Sequence, residues 1–319
     1  WSTPMVPIYL FYSMFGFQRV GDLIWQSADA RARGFLVGCT AGRTTMSGEG
    51  LQHEDGHSQL LATAYPNVLA WDPAFAYEMS MIVEDGIARL TGPAAEDCLY
   101  YLTLYNENYP MPALPEDEQE RRRIRDGALK GCYRFAPAPE LEAGRAAGAG
   151  RSQPGRHVTL LFSGTAWAAA MQAQTMLADE WGVAAEVWSV TGYKQLRDDA
   201  LRAERWNRLH PGSAGRQPYV VRTLGETSGP IVAVSDFVKA VPDQIARFLP
   251  GRLLSLGTDG FGRSDSRAAL RRYFEVDAAH VTVAALAALR ATGTVKDAEV
   301  AEAIGRYGID PEALDPRAV

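Results

Sequence analysis

Between Gly42 and Ser58 the chain reads Gly42-Arg43-Thr44-Thr45-Met46-Ser47-Gly48-Glu49-Gly50-Leu51-Gln52-His53-Glu54-Asp55-Gly56-His57-Ser58, a segment holding two imidazoles, three carboxylates and four glycines. Imidazole changes charge near neutral pH and carboxylates accept or orient protons, so this combination suits general acid–base chemistry. The segment follows a short apolar run, Gly34 to Cys39, that reads as a buried strand. Loops after the carboxyl ends of strands are where open α/β sheets build their sites. A solvated loop is the competing reading, and the density of titratable groups favours the catalytic one.

The letters His53-Glu54-Asp55-Gly56-His57 also fit the His-Glu-x-x-His pattern of a zinc protease. That chemistry needs both imidazoles on one face of a stable helix, with Glu54 as base to a metal-bound water. Gly56 between the histidines, and Gly48 and Gly50 before them, weaken a helix, and Asp55 is unwelcome on a helix packed into a core. His157, His210 and His280 are isolated and lie beyond the Gly/Ala/Arg tract at 143–156, in the other domain, so no third ligand is evident. No metal site is expected.

The elements that must position this loop can be read from periodicity. Val6 to Phe17 is an apolar, aromatic-rich stretch followed by residues recurring at helical spacing, a strand and then a helix. Gly34 to Cys39 and Val68 to Trp71 have the character of buried parallel strands; residues 74 to 91 suit an amphipathic helix, and Cys98 to Leu104 returns to strand. After Tyr133 come Pro137, Pro139 and a Gly/Ala/Arg tract from Ala143 to Arg156 that can bury almost nothing. A second α/β unit then runs through a strand at 157–162, a helix at 166–181, strands at 184–190 and 231–234, a helix near 236–248, a strand at 252–257 and a helix at 277–292. The expected fold is two three-layer α/β domains with mainly parallel sheets.

Composition narrows the function classes. In 319 residues, Lys plus Arg number 32 and Asp plus Glu 38, giving a net charge of −6 with the signs interspersed, which disfavours a general nucleic-acid binder. The longest apolar runs, such as Val281 to Leu289, fall far short of the roughly 18 to 20 residues that cross a bilayer, so no membrane partner is expected. Cys39, Cys98 and Cys132 lack paired or metal-type spacing, which fits a reducing cytoplasm. Trp1 is no translation start, so sequence upstream is expected.

Several ordered blocks carry more information than these patterns. They are Tyr12-Ser13-Met14-Phe15-Gly16-Phe17-Gln18-Arg19, Gly42-Arg43-Thr44-Thr45 with Gly48-Glu49-Gly50-Leu51-Gln52-His53, and Asp72-Pro73-Ala74-Phe75-Ala76-Tyr77-Glu78. Further on stand Tyr105-Asn106-Glu107-Asn108-Tyr109, Glu204-Arg205-Trp206-Asn207 and Gly257-Thr258-Asp259-Gly260-Phe261-Gly262-Arg263-Ser264-Asp265-Ser266-Arg267. Together they resemble the homodimeric, thiamine-diphosphate-dependent first component of pyruvate dehydrogenase. The resemblance is collinear from near residue 4 to Asp315-Pro316-Arg317, which implies a natural C-terminus.

The resemblance implies three α/β modules in the family, of which this chain is similar to most of the second and all of the third. It places a pyrimidine-binding domain, lacking its N-terminal part, at 1–135, a linker at 136–156 and a transketolase-like C-terminal domain at 157–319. It implies thiamine diphosphate as cofactor, whose own amino group, activated by a protein glutamate, removes the thiazolium proton while the protein positions and polarises. Tyr12 and Phe15 stand where the family places aromatics around the aminopyrimidine; plain core packing is the competing role, and Phe17 is left to the core. His53 matches the family histidine facing the reacting carbon, with Glu49 and His57 as candidates for orienting it. Arg19 either pairs with a carboxylate at the cofactor or makes an interdomain salt bridge. Asp259 to Asp265 is expected to be a structural turn near the module interface.

The resemblance has gaps with consequences. The Gly-Asp-Gly…Asn pattern that holds diphosphate and magnesium is absent from these residues, and the activating glutamate belongs before residue 1 in the family order. The expected partners are therefore an upstream diphosphate-binding module or partner subunit, a second copy in a homodimer or heterotetramer, and a lipoyl-bearing acetyltransferase. The implied reaction is decarboxylation of pyruvate with reductive acetylation of lipoyl. A split enzyme forming acyloin-type carbon–carbon bonds and a non-catalytic scaffold are the alternatives.

Overall fold

The computed structural model describes residues 5–141 and 155–318. The first sheet is built from β1 (Ile8–Phe11), β2 (Gly34–Cys39), β3 (Val68–Trp71) and β4 (Leu99–Leu104), all parallel, in the order β1-β2-β4-β3. Helices α1 (Phe17–Asp29), α2 (Ser58–Leu61), α3 (Ala76–Thr91) and α4 (Glu118–Lys130) connect and flank it. Alternate residues of each strand point to opposite faces. Tyr101 therefore packs with Phe17, Ile24 and Val68 on one face, while Tyr100 and Leu102 pack with Phe35, Val37 and Ile82 on the other. Strands β2, β3 and β4, covered on both faces, need near-continuous apolar sequence, which is why these runs lack polar alternation, while the edge strand β1 stays exposed.

The second sheet comprises β5 (Tyr133–Ala136), β6 (His157–Phe162), β7 (Ala184–Ser189), β8 (Ile231–Val234) and β9 (Leu253–Leu256), in the order β5-β7-β6-β8-β9. Its strands are parallel except the edge pair β5–β7. Around it lie α5 (Trp167–Trp181), α6 (Tyr193–Leu209), α7 (Tyr219–Leu224), α8 (Arg267–Tyr273), α9 (Ala278–Ala291) and α10 (Asp297–Arg306). Val232 and Val234 join the core beneath α5 and α9, and Ile231 and Ala233 join the one beneath α6 and α7. The three-layer α/β reading therefore describes both sheets.

Three differences from the sequence reading have physical reasons. Tyr133–Ala136 hydrogen-bonds into the second sheet, antiparallel to β7, so the strand order changes units before Tyr133 and not at residue 135. Helix α4 escaped the periodicity reading because it buries only Ile124, Gly127 and Ala128; Asp117 caps it by accepting the Glu120 N–H at 2.8 Å, and Gly131, at φ +110°, ends it. The expected helix at 236–248 is instead a loop at 236–241 followed by a 3-10 helix at Pro242–Phe248. Residues 142–154 of the expected linker lie outside the described residues.

Candidate functional site

Strand β1 ends at Phe11, and the next residues form a single 3-10 turn, Ser13–Phe15, before α1 begins. Strand β2, its neighbour, ends at Cys39 and releases the 42–58 loop. Because the two strands are parallel and adjacent, both segments emerge at the same edge of the sheet. The ring centroids of Tyr12 and Phe15 lie 5.9 Å apart, and the His53 imidazole sits 5.4 Å from Tyr12 and 5.2 Å from Phe15, edge-on to both. Tyr12 is half exposed and the His53 side chain 30% exposed, so the rings form an open wall and not a dry core. Phe17, by contrast, is buried against Tyr65 and Tyr101.

A buried carboxylate holds this wall together. Asp55 accepts hydrogen bonds from the Ser13 and Ser58 hydroxyls, from Gln18 Nε2 at 2.6 Å, and from the backbone N–H groups of His57 and Ser58 at 2.9 and 3.0 Å. Tyr101 donates to Ser58 at 2.7 Å and lies 3.1 Å from Ser13. A carboxylate removed from water is tolerated when this many donors surround it. Ser13 sits between Tyr12 and Phe15 and Asp55 sits two residues after His53, so one anion fixes both segments.

Behind the wall the loop is stitched to the second sheet. Arg43, 1% exposed, donates to the carbonyls of Thr258 and of Gly260, the latter at 2.7 Å, and to His57 Nδ1 at 3.1 Å. Its guanidinium lies where a Cβ on Gly56 would come within 2.4 Å of Cζ, so only glycine lets the chain pass. Glu54 accepts the Arg263 N–H at 2.8 Å, and burial pushes its carboxyl up to about 7. Asp236 accepts the Thr44 N–H at 3.1 Å and is likewise pushed up by burial to about 7. The 259–265 segment is thus an interface turn, contacted through Gly260 and Arg263 from the loop.

The sequence candidates separate in space. Glu49 stands 3.6 Å from His53 Nδ1, within reach to orient it. His57 turns toward Arg43 and away from that pair; burial first, and the guanidinium second, lower its pKa, so it is neutral and accepts through Nδ1. Arg19 is exposed on α1 and has no carboxylate partner among the described residues. The zinc-protease geometry is missing because residues 53–57 are not helical; α2 starts only at Ser58. No group of three metal-ligating side chains occurs among the described residues. Ser13, Gln18, Arg43, Asp55 and Ser58 carry no role in the sequence reading. Ser13, Gln18 and Arg43 fall within the quoted blocks and Asp55 and Ser58 only within the 42–58 loop, since a buried clamp made across the sheet has no local spacing.

Residues 1–112 match the pyruvate dehydrogenase E1 component middle domain, and residues 149–277 match the transketolase-like C-terminal domain. The pyruvate dehydrogenase E1 component of Pseudomonas aeruginosa is 48% identical over 99% of this chain and 34% of its own length. That of Mycobacterium tuberculosis is 48% identical over 99% and 32%, and that of Escherichia coli K12 is 44% identical over 99% and 33%. The chain therefore spans about a third of the curated relatives it matches. Among solved structures, transketolase from Leishmania mexicana superposes with a TM-score of 0.64 at 16% identity, covering 92% of this chain and 36% of that one. A split-gene transketolase, an inactive beta4 tetramer, gives 0.60 at 17% identity over 89% and 77%. At such identities the likeness is one of fold.

Proposed function

We propose that this chain is a C-terminal portion of a protein of the pyruvate dehydrogenase E1 component type, and that it supplies the aminopyrimidine-facing half of a thiamine diphosphate site; the two domain matches and the similarity to E1 components support this reading. The carrying observation is the convergence of Tyr12, Phe15 and His53 at the carboxyl ends of β1 and β2. Partly exposed aromatic rings suit a flat heteroaromatic ring, and the Tyr12 phenol can hydrogen-bond an amino substituent. The fit ends there: no cluster of metal ligands occurs among the described residues, so magnesium and the diphosphate would be held by a module outside this chain.

When bound, thiamine diphosphate supplies the nucleophile that decarboxylates a 2-oxo acid. In this reading Tyr12 and Phe15 hold the pyrimidine in place. His53, oriented by Glu49, faces the reacting side and moves a proton or donates a hydrogen bond there. Neutral His57 and Arg43 fix the loop from behind and are positioning residues. Arg19, exposed on α1, keeps a role toward a carboxylate of the completed site.

The whole protein would decarboxylate pyruvate and reductively acetylate the lipoyl group of an acetyltransferase in the cytoplasm, as a homodimer with the cofactor between modules. A surface that supports completion by further polypeptide runs along β1, where Ile8, Tyr9 and Leu10 are each about 60% exposed beside exposed Met5 and Tyr12. An acyloin-forming split enzyme or a scaffold has no observation in its favour. In the complete protein, His53→Ala should reduce lipoyl acetylation by roughly 100-fold, the scale of one acid–base group, while leaving thiamine diphosphate affinity within a few-fold. Unchanged turnover would remove His53 from the chemistry.

A further inference from the structure

Far from the aromatic wall, against β3 on the opposite edge of the first sheet, lies a cleft of about 300 Å³ between that sheet's helices and those of the second. Its wall includes Trp71, at the end of β3, and Gln195 and Arg202 on α6, with Lys130 at the end of α4 and Tyr219 and Arg222 on α7. Gln195 and Arg202 are seven residues apart, two helical turns, which puts them on one face.

Two observations set this cleft apart from an ordinary groove. Trp71 is 1% exposed, and its indole N–H has no hydrogen-bond partner. The Gln195 carboxamide is in the same state at both its oxygen and its nitrogen. Leaving such groups buried and unpaired costs about 1–3 kcal/mol each, and native structures rarely retain several together without a ligand or a solvent partner. The two side chains share their place because residue 192 is glycine: a Cβ there would stand 2.3 Å from Gln195 Oε1 and 3.1 Å from Trp71 Cε3.

The charges point to the ligand's sign. Asp198 is already paired with Lys194 at 2.9 Å and Arg197 at 3.2 Å, and Asp199 accepts the Tyr219 N–H at 2.7 Å. Arg89 is held by Glu96 at 2.6 Å. Lys130 and Arg222 instead lie 5.6 and 5.4 Å from the Tyr219 ring centre, and together with Arg202 they have no carboxylate partner among the described residues. Three cations without an ion pair among the described residues therefore line the cleft, against one acid, Asp199, that is held only by a backbone N–H. Arginine forks match the oxygens of phosphate in paired hydrogen bonds, and lysine adds a point charge.

We propose that this cleft binds a small phosphate-bearing molecule, with its phosphate on Arg202, Arg222 and Lys130 and a polar, uncharged end reaching Gln195 and the Trp71 indole. The size is at the lower limit of ordinary ligand sites, which suits a compact metabolite and excludes a polymer. The site is separate from the proposed cofactor site and does not rest on it.

Calorimetric titration of the complete protein, saturated with thiamine diphosphate and magnesium so that the cofactor site is filled, tests the proposal. The probes are inorganic phosphate, glycerol 3-phosphate and, as an uncharged control, glycerol. Saturable binding of both phosphates, and none of glycerol, is expected. The double variant Arg202→Ala/Arg222→Ala should weaken both phosphates at least tenfold, and Gln195→Leu should weaken glycerol 3-phosphate more than phosphate. Circular dichroism of each variant controls for folding. Absence of saturable binding up to 10 mM (roughly the weak limit of a specific site), or binding indifferent to the arginine pair, would overturn it.

Discussion

The Asp55 carboxylate accepts the hydroxyl of Ser13, a residue 42 positions earlier that lies between the two aromatic rings of the site. Through this bond the turn carrying Tyr12 and Phe15 and the loop carrying His53 share one anchor. The arrangement turns a flexible-looking, glycine-rich loop into a fixed surface.

Asp55→Asn should therefore disturb both segments at once. The side-chain amide would aim a donor at hydroxyl, amide and backbone N–H groups that are themselves donors. A loss of about 2–4 kcal/mol in urea unfolding is expected, the scale for breaking a buried charged network. In the complete protein the variant should also lose at least tenfold in kcat. Wild-type stability together with wild-type kcat would show that the anchor is dispensable.

Gly56→Ala introduces a methyl group into the Arg43 guanidinium. Overpacking at a buried, fully engaged side chain costs about 1–3 kcal/mol. Gly305, on the exposed face of α10 with open space around it, provides the contrast: Ala there should stabilise by about 0.5–1 kcal/mol. Denaturant midpoints that move in the same direction for both variants would contradict the structure.

Burial holds the Glu54 carboxyl near 7 against an ordinary value of 4.5, so the folded chain keeps this proton to higher pH than the unfolded chain does. The associated stability is fully present below about 4.5 and is lost as pH rises through about 7. Glu54→Gln mimics the protonated form. Its advantage over wild type should grow between those values and level off above them at up to about 3 kcal/mol. Unfolding profiles that run parallel from pH 5 to 8 would assign the titration elsewhere, with Asp236 the next group to change.

Phe15→Ala in the complete protein should weaken thiamine diphosphate about two- to tenfold, which corresponds to the roughly 0.5–1.5 kcal/mol of an aromatic contact. Tyr12→Phe keeps the ring face and should stay within about threefold, the loss being one hydrogen bond exposed to water. Fluorescence titration with the cofactor reads both. Equal affinities for wild type and Phe15→Ala would place the pyrimidine away from this wall.

Much of the frame was legible without coordinates because strands buried on two faces must be apolar throughout. Gly34–Cys39, Val68–Trp71, His157–Phe162 and Ile231–Val234 stand where their composition puts them. Helix α4 was not legible, since a helix resting on the surface through three small contacts has almost no apolar stripe to detect. Strand β5 reads equally well as the end of one unit or the edge of the next, and only its pairing with β7 decides.

For the site, residue types alone marked the 42–58 loop as chemical, and the resemblance singled out Tyr12, Phe15 and His53. What the sequence could not determine was which neighbours work together. Glu49 faces His53 while His57 faces Arg43, although the two candidates lie equally far along the chain from His53, and Asp55 reaches back to Ser13 and Gln18. Such pairings depend on where adjacent parallel strands end and on which donors a buried charge can gather. Both are properties of the packed chain, because desolvation acts through distance in space and not through distance along the sequence.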